Sequence, residues 1–148
     1  MNDVNTFVDS MLPKLEAADT ALHNGDAAAR AAMWSHNEPV TLFGAAITTS
    51  GWDNIADTFN WLATRFSNCT AFTYEVLAAG VSDDLAYIVG IEHTTASIGD
   101  EPAAPYSLRV TTILRREGDE WRVVHRHGDP YDASSGDAVS RLNAAGER

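Results

Sequence analysis

Beyond Cys69 the apolar residues stop recurring every three or four positions and begin to alternate, and this change of period limits the fold more than any other feature of the sequence. Upstream, Val4, Phe7, Val8, Met11, Leu12, Leu15, Ala18, Ala21 and Leu22 trace one face of an amphipathic helix that Asn24-Gly25 ends. Pro13 inside that pattern should kink the helix or delay its start. Asp26 can cap a short Ala-rich helix from Ala27 to about Trp34, Pro39 stops it, and Val40 to Phe43 reads as a brief strand. Ile55, Phe59, Leu62 and Phe66 then mark a third helix, opened at Trp52 and capped by Ser50 or Asp53. Downstream, four runs alternate: Phe72 to Val76, Leu85 to Ser97, Tyr106 to Arg116, and Trp121 to about Tyr131. The turns between them are short, so consecutive strands should be antiparallel neighbours. Helices first and antiparallel strands afterwards define an α+β fold with helices covering one face of a curved sheet.

The third-quarter run Leu85 to Thr95 is apolar on both faces, with Leu85, Tyr87, Val89 and Ile91 on one and Ala86, Ile88 and Gly90 on the other. Helices can bury only one of these faces. The second is expected to meet a second copy of the chain, as a homodimer through the sheet.

At 148 residues the chain has the size of one domain, which the composition places over residues 1–131. Residues 132–148, rich in Ser, Asp, Ala and Gly, are expected as a mobile C-terminal tail or a loosely attached helix. The formal charge of −11 repels phosphate backbones and anionic headgroups, so neither nucleic acid nor a membrane is an expected partner. Cys69 stands alone, which excludes an internal disulfide and a thiolate zinc cluster and fits a reducing, cytoplasmic setting. No apolar run is long enough to span a bilayer.

The chemistry concentrates in Trp121-Arg122-Val123-Val124-His125-Arg126-His127-Gly128-Asp129. On a regular strand Trp121, Val123, His125, His127 and Asp129 share a face that runs from apolar to ionisable, like the wall of a pocket. His127 is then the candidate proton acceptor, His125 a ligand contact, and Asp129 either orients His127 or serves as a base. Gly128 threatens this parity, because an internal glycine often marks a bulge. Of the adjacent Glu92 and His93 only one can face inward and the spacing does not decide which; Glu92 is taken as the candidate, as a carboxylate raised by burial, or else held in a rim salt bridge with Arg109 or Arg126. Arg109 can grip a carboxylate or an oxyanion, and Trp52, Trp34, Tyr74 and Phe43 can supply apolar wall. Each of these residues also has a plain reading, as a core aromatic, a satisfied core histidine or a rim ion pair. H-x-H-x-D is too short a motif to specify a metal, and no metal or cofactor is expected.

The short helices, Gly51-Trp52 opening the third, and the closing hairpin of Leu108 to Arg116 and Trp121 to His127 resemble the nuclear transport factor two-like superfamily, above all its SnoaL-like and ketosteroid-isomerase-like members. The resemblance implies a cone-shaped, strongly bent sheet wrapped around about three N-terminal helices, with a pocket for a small molecule. It implies either a cofactor-independent isomerase, cyclase or dehydratase acting by proton transfer on a small apolar carbonyl or carboxylate compound, or a non-catalytic binding or association module. Where ketosteroid isomerases carry the basic carboxylate, this chain has Val40-Thr41-Leu42-Phe43, so steroid isomerisation is not expected.

Overall fold

The structure is a computed structural model that describes residues 3–44 and 46–145. Helix α1 (Val4–Leu22) starts where the Asp3 carboxylate accepts the Asn5 N–H at 2.9 Å, and buries Phe7, Met11, Leu15, Ala18 and Leu22. Pro13 lies within it on the exposed side, where water can take the carbonyl that proline leaves unbonded. Helix α2 (Ala28–Met33) has its first N–H held by Asp26 at 2.9 Å. Strands β1 (Thr41–Gly44) and β2 (Ile47–Ser50) form a hairpin whose second arm the spacing does not predict. Helix α3 (Trp52–Arg65) takes its N-terminal partner from a distance: Glu38, not Ser50 or Asp53, accepts the Trp52 N–H at 2.7 Å. The chain then runs through β3 (Phe66–Val81), β4 (Leu85–Ile98), β5 (Ala104–Glu117) and β6 (Glu120–Pro130) into helix α4 (Ala133–Ala145).

The six strands lie in the order β2-β1-β6-β5-β4-β3, curled into an unclosed cone around the helices. Neighbours are antiparallel except β1 and β6, which run parallel with Thr41 opposite His125. Register breaks bend β3 between Ser67 and Ala71 and again between Val76 and Ala78; Leu77, the residue the second break ejects, is 63% exposed. On the concave side Ala86, Ile88, Glu92, Thr94 and Ala96 alternate along β4, and Tyr106, Val110, Thr112 and Leu114 along β5. Gly90 belongs to the same row because no other residue fits there: an added Cβ would stand 2.1 Å from the Glu75 carbonyl oxygen and 2.8 Å from the Tyr74 ring.

A third break decides what β6 presents. Val123 pairs with Leu114 but His125 pairs with Ile113, so Val124 is an extra residue and the alternation reverses. Val123 stays in the core, Val124 packs against it, and Arg126 and Gly128 turn inward in place of the imidazoles.

The final segment is helical. Asp132 stands before its first turn and accepts the Ser135 N–H at 2.8 Å, the Ser135 hydroxyl accepts the Ser107 N–H at 2.9 Å, and Ala138 and Val139 are buried against the mouth of the cone. Residues 146–148 of the expected tail lie outside the described residues.

Candidate functional site

The cone holds a cavity of about 70 Å³ beneath α4. Its wall is apolar, from Leu22, Leu42, Ile47, Leu62, Phe66, Leu108, Val139 and Leu142, and its polar lining comes from His23, Arg30, Glu92, Tyr106 and Arg126. A narrower recess of about 20 Å³ continues behind Arg30 and Arg126 toward Asp19, Trp34, Tyr74 and Thr112.

The end of α1, the middle of α2 and the concave faces of β4, β5 and β6 bring these groups together. His23 caps the C-terminus of α1, where Nδ1–H donates to the Asp19 carbonyl at 2.7 Å. Nε2 lies 2.6 Å from the Tyr106 hydroxyl and accepts from it while the ring is neutral, the form that burial favours. Burial lowers its pKa to about 4, against a smaller opposing pull from Glu92. Burial, reinforced by Glu92, raises the Tyr106 phenol above its ordinary value. Arg126 donates from both terminal nitrogens to Glu92, at 2.5 and 2.8 Å, a two-point pair whose side chains are 12% and 3% exposed. Burial alone would push the Glu92 carboxyl up; the Arg126 guanidinium, helped by Arg30, outweighs it and holds the group below the usual carboxylate range. Arg30 pairs with buried Asp19 and lies over the Phe59 ring, and burial brings it down to about 9, still cationic at neutral pH. One anion, two cations and one neutral imidazole therefore share the floor, with the second anion, Asp19, behind Arg30.

Of the residues singled out from sequence, Glu92 stands at this floor, and Tyr74 and Trp34 line the recess behind it. The Tyr74 hydroxyl lies 3.4 Å from the Ile88 and Val110 carbonyls, and burial, then Glu92, pushes it up to about 12. The inward direction expected for His125, His127 and Asp129 does not hold. The bulge at Val124, four residues before the suspected Gly128, turns all three to the convex face. There His125 Nδ1 meets the Thr41 hydroxyl at 2.7 Å, and the edges of both imidazoles meet the Phe43 ring, at 5.2 and 5.5 Å between centroids. Burial, then His127, lowers the His125 pKa. Asp129 pairs with Arg109 at 3.2 Å, both largely exposed, so Arg109 and Phe43 also lie outside the cone. His93 joins them, between Ser107 and Glu75. Trp52 stacks on His36 at 3.9 Å, away from the cavity lining.

His23, Arg30, Asp19, Tyr106 and Arg126 were not readable as site residues. Arg126 falls on the wrong parity until the bulge is counted. Arg30 and Asp19 look like solvent charges on short helices, and His23 like the end of one. Among the described residues no cluster of three or more His, Cys, Asp or Glu is placed to hold a metal ion, and no helix is long and apolar enough to cross a membrane.

Known structures share this architecture at low identity. A candidate dehydratase of the nuclear transport factor two-like family from Streptomyces avermitilis superposes with a TM-score of 0.64 at 18% identity, over 84% of this chain and 99% of its own. A candidate calcium/calmodulin-dependent protein kinase type II association domain from Thiobacillus denitrificans gives 0.63 at 21%, over 80% and 93%. A candidate ketosteroid isomerase from Parabacteroides distasonis gives 0.60 at 14%, over 78% and 83%. No curated protein matches the chain. The model of the SnoaL-like domain matches residues 15–131, ending where the composition changes before α4. With most of its length matched, the chain belongs to the SnoaL-like domain family of the nuclear transport factor two-like superfamily.

Proposed function

We propose that the protein binds a small, largely apolar molecule through a carbonyl or carboxylate group in the cone, and turns it over by proton transfer without a cofactor. The observation that carries this reading is the polar floor: buried charges and a neutral imidazole border an otherwise apolar cavity. Such groups are expensive to bury, and pockets that fix a ligand's orientation use a few of them against greasy walls. Relatives of the same fold named as a candidate dehydratase and a candidate ketosteroid isomerase agree with proton-transfer chemistry.

The roles first considered for His127 and Arg109 pass to groups inside. A proton leaving the bound molecule goes to the Tyr106 oxygen as Tyr106 hands its own to His23 Nε2, which the Asp19 carbonyl aims through Nδ1–H; the imidazolium lasts only while the oxyanion beside it offsets its charge, and the proton returns to the molecule by the same route. The free N–H groups of Arg126 and Arg30 face the oxyanion that develops, and Glu92 keeps Arg126 in position. Tyr106→Phe should therefore cut kcat by 100-fold or more on an identified substrate with KM within about threefold. Native mass spectrometry of the purified protein, followed by assay of any co-purifying compound, is the test. Unchanged turnover of that compound in Tyr106→Phe would remove the catalytic reading.

A second reading concerns assembly. Leu85, Tyr87 and Phe43 are exposed on the convex face, beside Ile91 and Ile113, and this face is proposed as the contact of a homodimer. The lone Cys69 is consistent with the reducing cytoplasm as the setting.

A further inference from the structure

We infer that the cone takes a short-chain neutral carbonyl compound, its oxygen on the Arg30 and Arg126 guanidinium groups and its alkyl part kept short by Val139 and Leu142 of α4. This rests on the pocket reading above and chooses within it. The floor is charge-balanced: Arg30 faces Asp19, Arg126 faces Glu92, and His23, buried between the helix end and Tyr106, is kept neutral by its burial. A carboxylate would arrive with no cation to spare, and an uncompensated buried charge is strongly disfavoured. Hydrogen-bonding capacity points the same way. Two guanidinium groups bring ten N–H donors, and the contacts with Asp19 and Glu92 engage one nitrogen of Arg30 and two of Arg126. A carbonyl oxygen accepts from such a floor without adding charge.

Size follows from α4. A dry cavity of ~150 Å³ takes up one benzene. The cavity here is about 70 Å³, closed on one side by Val139 and Leu142. It suits a ketone of about three or four carbons, and a ring or a long chain would collide with α4. These two side chains are specificity determinants, since nothing else on α4 lines the cavity among the described residues.

Amide chemical-shift titrations with acetone, butanone, 2-octanone and butyrate test both halves, on the full chain and on Leu142→Ala and Leu142→Phe, with melting temperatures as the folding control. The wild-type protein should bind butanone at least tenfold tighter than butyrate or 2-octanone, with shifts at the floor residues. Leu142→Ala should reverse the butanone and 2-octanone order, and Leu142→Phe, which keeps an apolar side chain on α4, should weaken butanone at least tenfold. Butyrate binding as tightly as butanone overturns the neutral-carbonyl assignment. A chain-length order unaltered in both variants, or 2-octanone equal to butanone in the wild type, overturns the role of α4 and leaves the pocket reading standing. Failure of every compound in the wild type and in Leu142→Ala overturns the pocket reading together with this inference.

Discussion

At the scale of single residues, His23 and Arg126 carry the site and the sharpest consequences. The His23 pKa falls from 6.5 to about 4 on folding, so between those values the unfolded chain binds a proton that the folded one refuses. The stabilisation is complete above pH 6.5 and is lost as pH falls toward 4; it amounts to about 3 kcal/mol at 1.36 kcal/mol per pH unit. Urea unfolding of His23→Gln should show a stability difference from wild type that shrinks across this window. A difference independent of pH would mean that the imidazole is not held neutral. Arg126→Met leaves Glu92 buried without its partner, for which a loss of ~3–5 kcal/mol is expected from chemical denaturation. A loss below 1 kcal/mol would place the pair in solvent instead.

At the scale of elements, shape comes from irregularities. The two breaks in β3 bend the sheet, Gly90 admits the Tyr74 ring between β3 and β4, and the extra Val124 chooses which side chains of β6 enter the cone. Gly90→Ala should destabilise by ~1–3 kcal/mol or more, because its methyl group meets backbone that cannot yield, and a melting curve measures this directly. These irregularities also mark where the sequence stops being legible. Period and punctuation give α1, α2, α3, three of the long strands and the middle of β3, since apolar spacing and turn residues act locally; Phe66, whose spacing fits the helix, instead opens β3. Alternation admits only one of Glu92 and His93 to the concave face without choosing between them, and Glu92 is the one found there. Alternation fails beyond Val124, because a bulge is set by how β5 and β6 pair and leaves no residue-type signal when the extra residue is another valine. One inserted position is enough to exchange His125, His127 and Asp129 for Arg126. The hairpin arm β2 and the cavity-covering role of α4 were likewise invisible: their apolar residues are few, and burial depends on a cone already formed.

At the scale of the molecule, one curled sheet presents two unlike faces. Its concave face holds a neutral, donor-rich polar floor, and its convex face leaves Leu85, Tyr87 and Phe43 in water. If the convex face joins two copies, Tyr87→Asp should turn a dimer into a monomer in sedimentation equilibrium at micromolar concentration, since an interface aromatic contributes ~2 kcal/mol or more. The thermal stability of the monomer should barely move, because Tyr87 is 45% exposed. Wild-type protein that is already monomeric at high concentration would dispose of that contact. The concave face is tested most directly by following the imidazole nitrogens of His23 with long-range proton–nitrogen correlation spectra as pH is lowered. The proton should stay on Nδ1, with Nε2 unprotonated, until about pH 4. A midpoint near 6.5, or the proton on Nε2 at neutral pH, would show that His23 does not sit against Tyr106 within the cone, and the site as described would not exist.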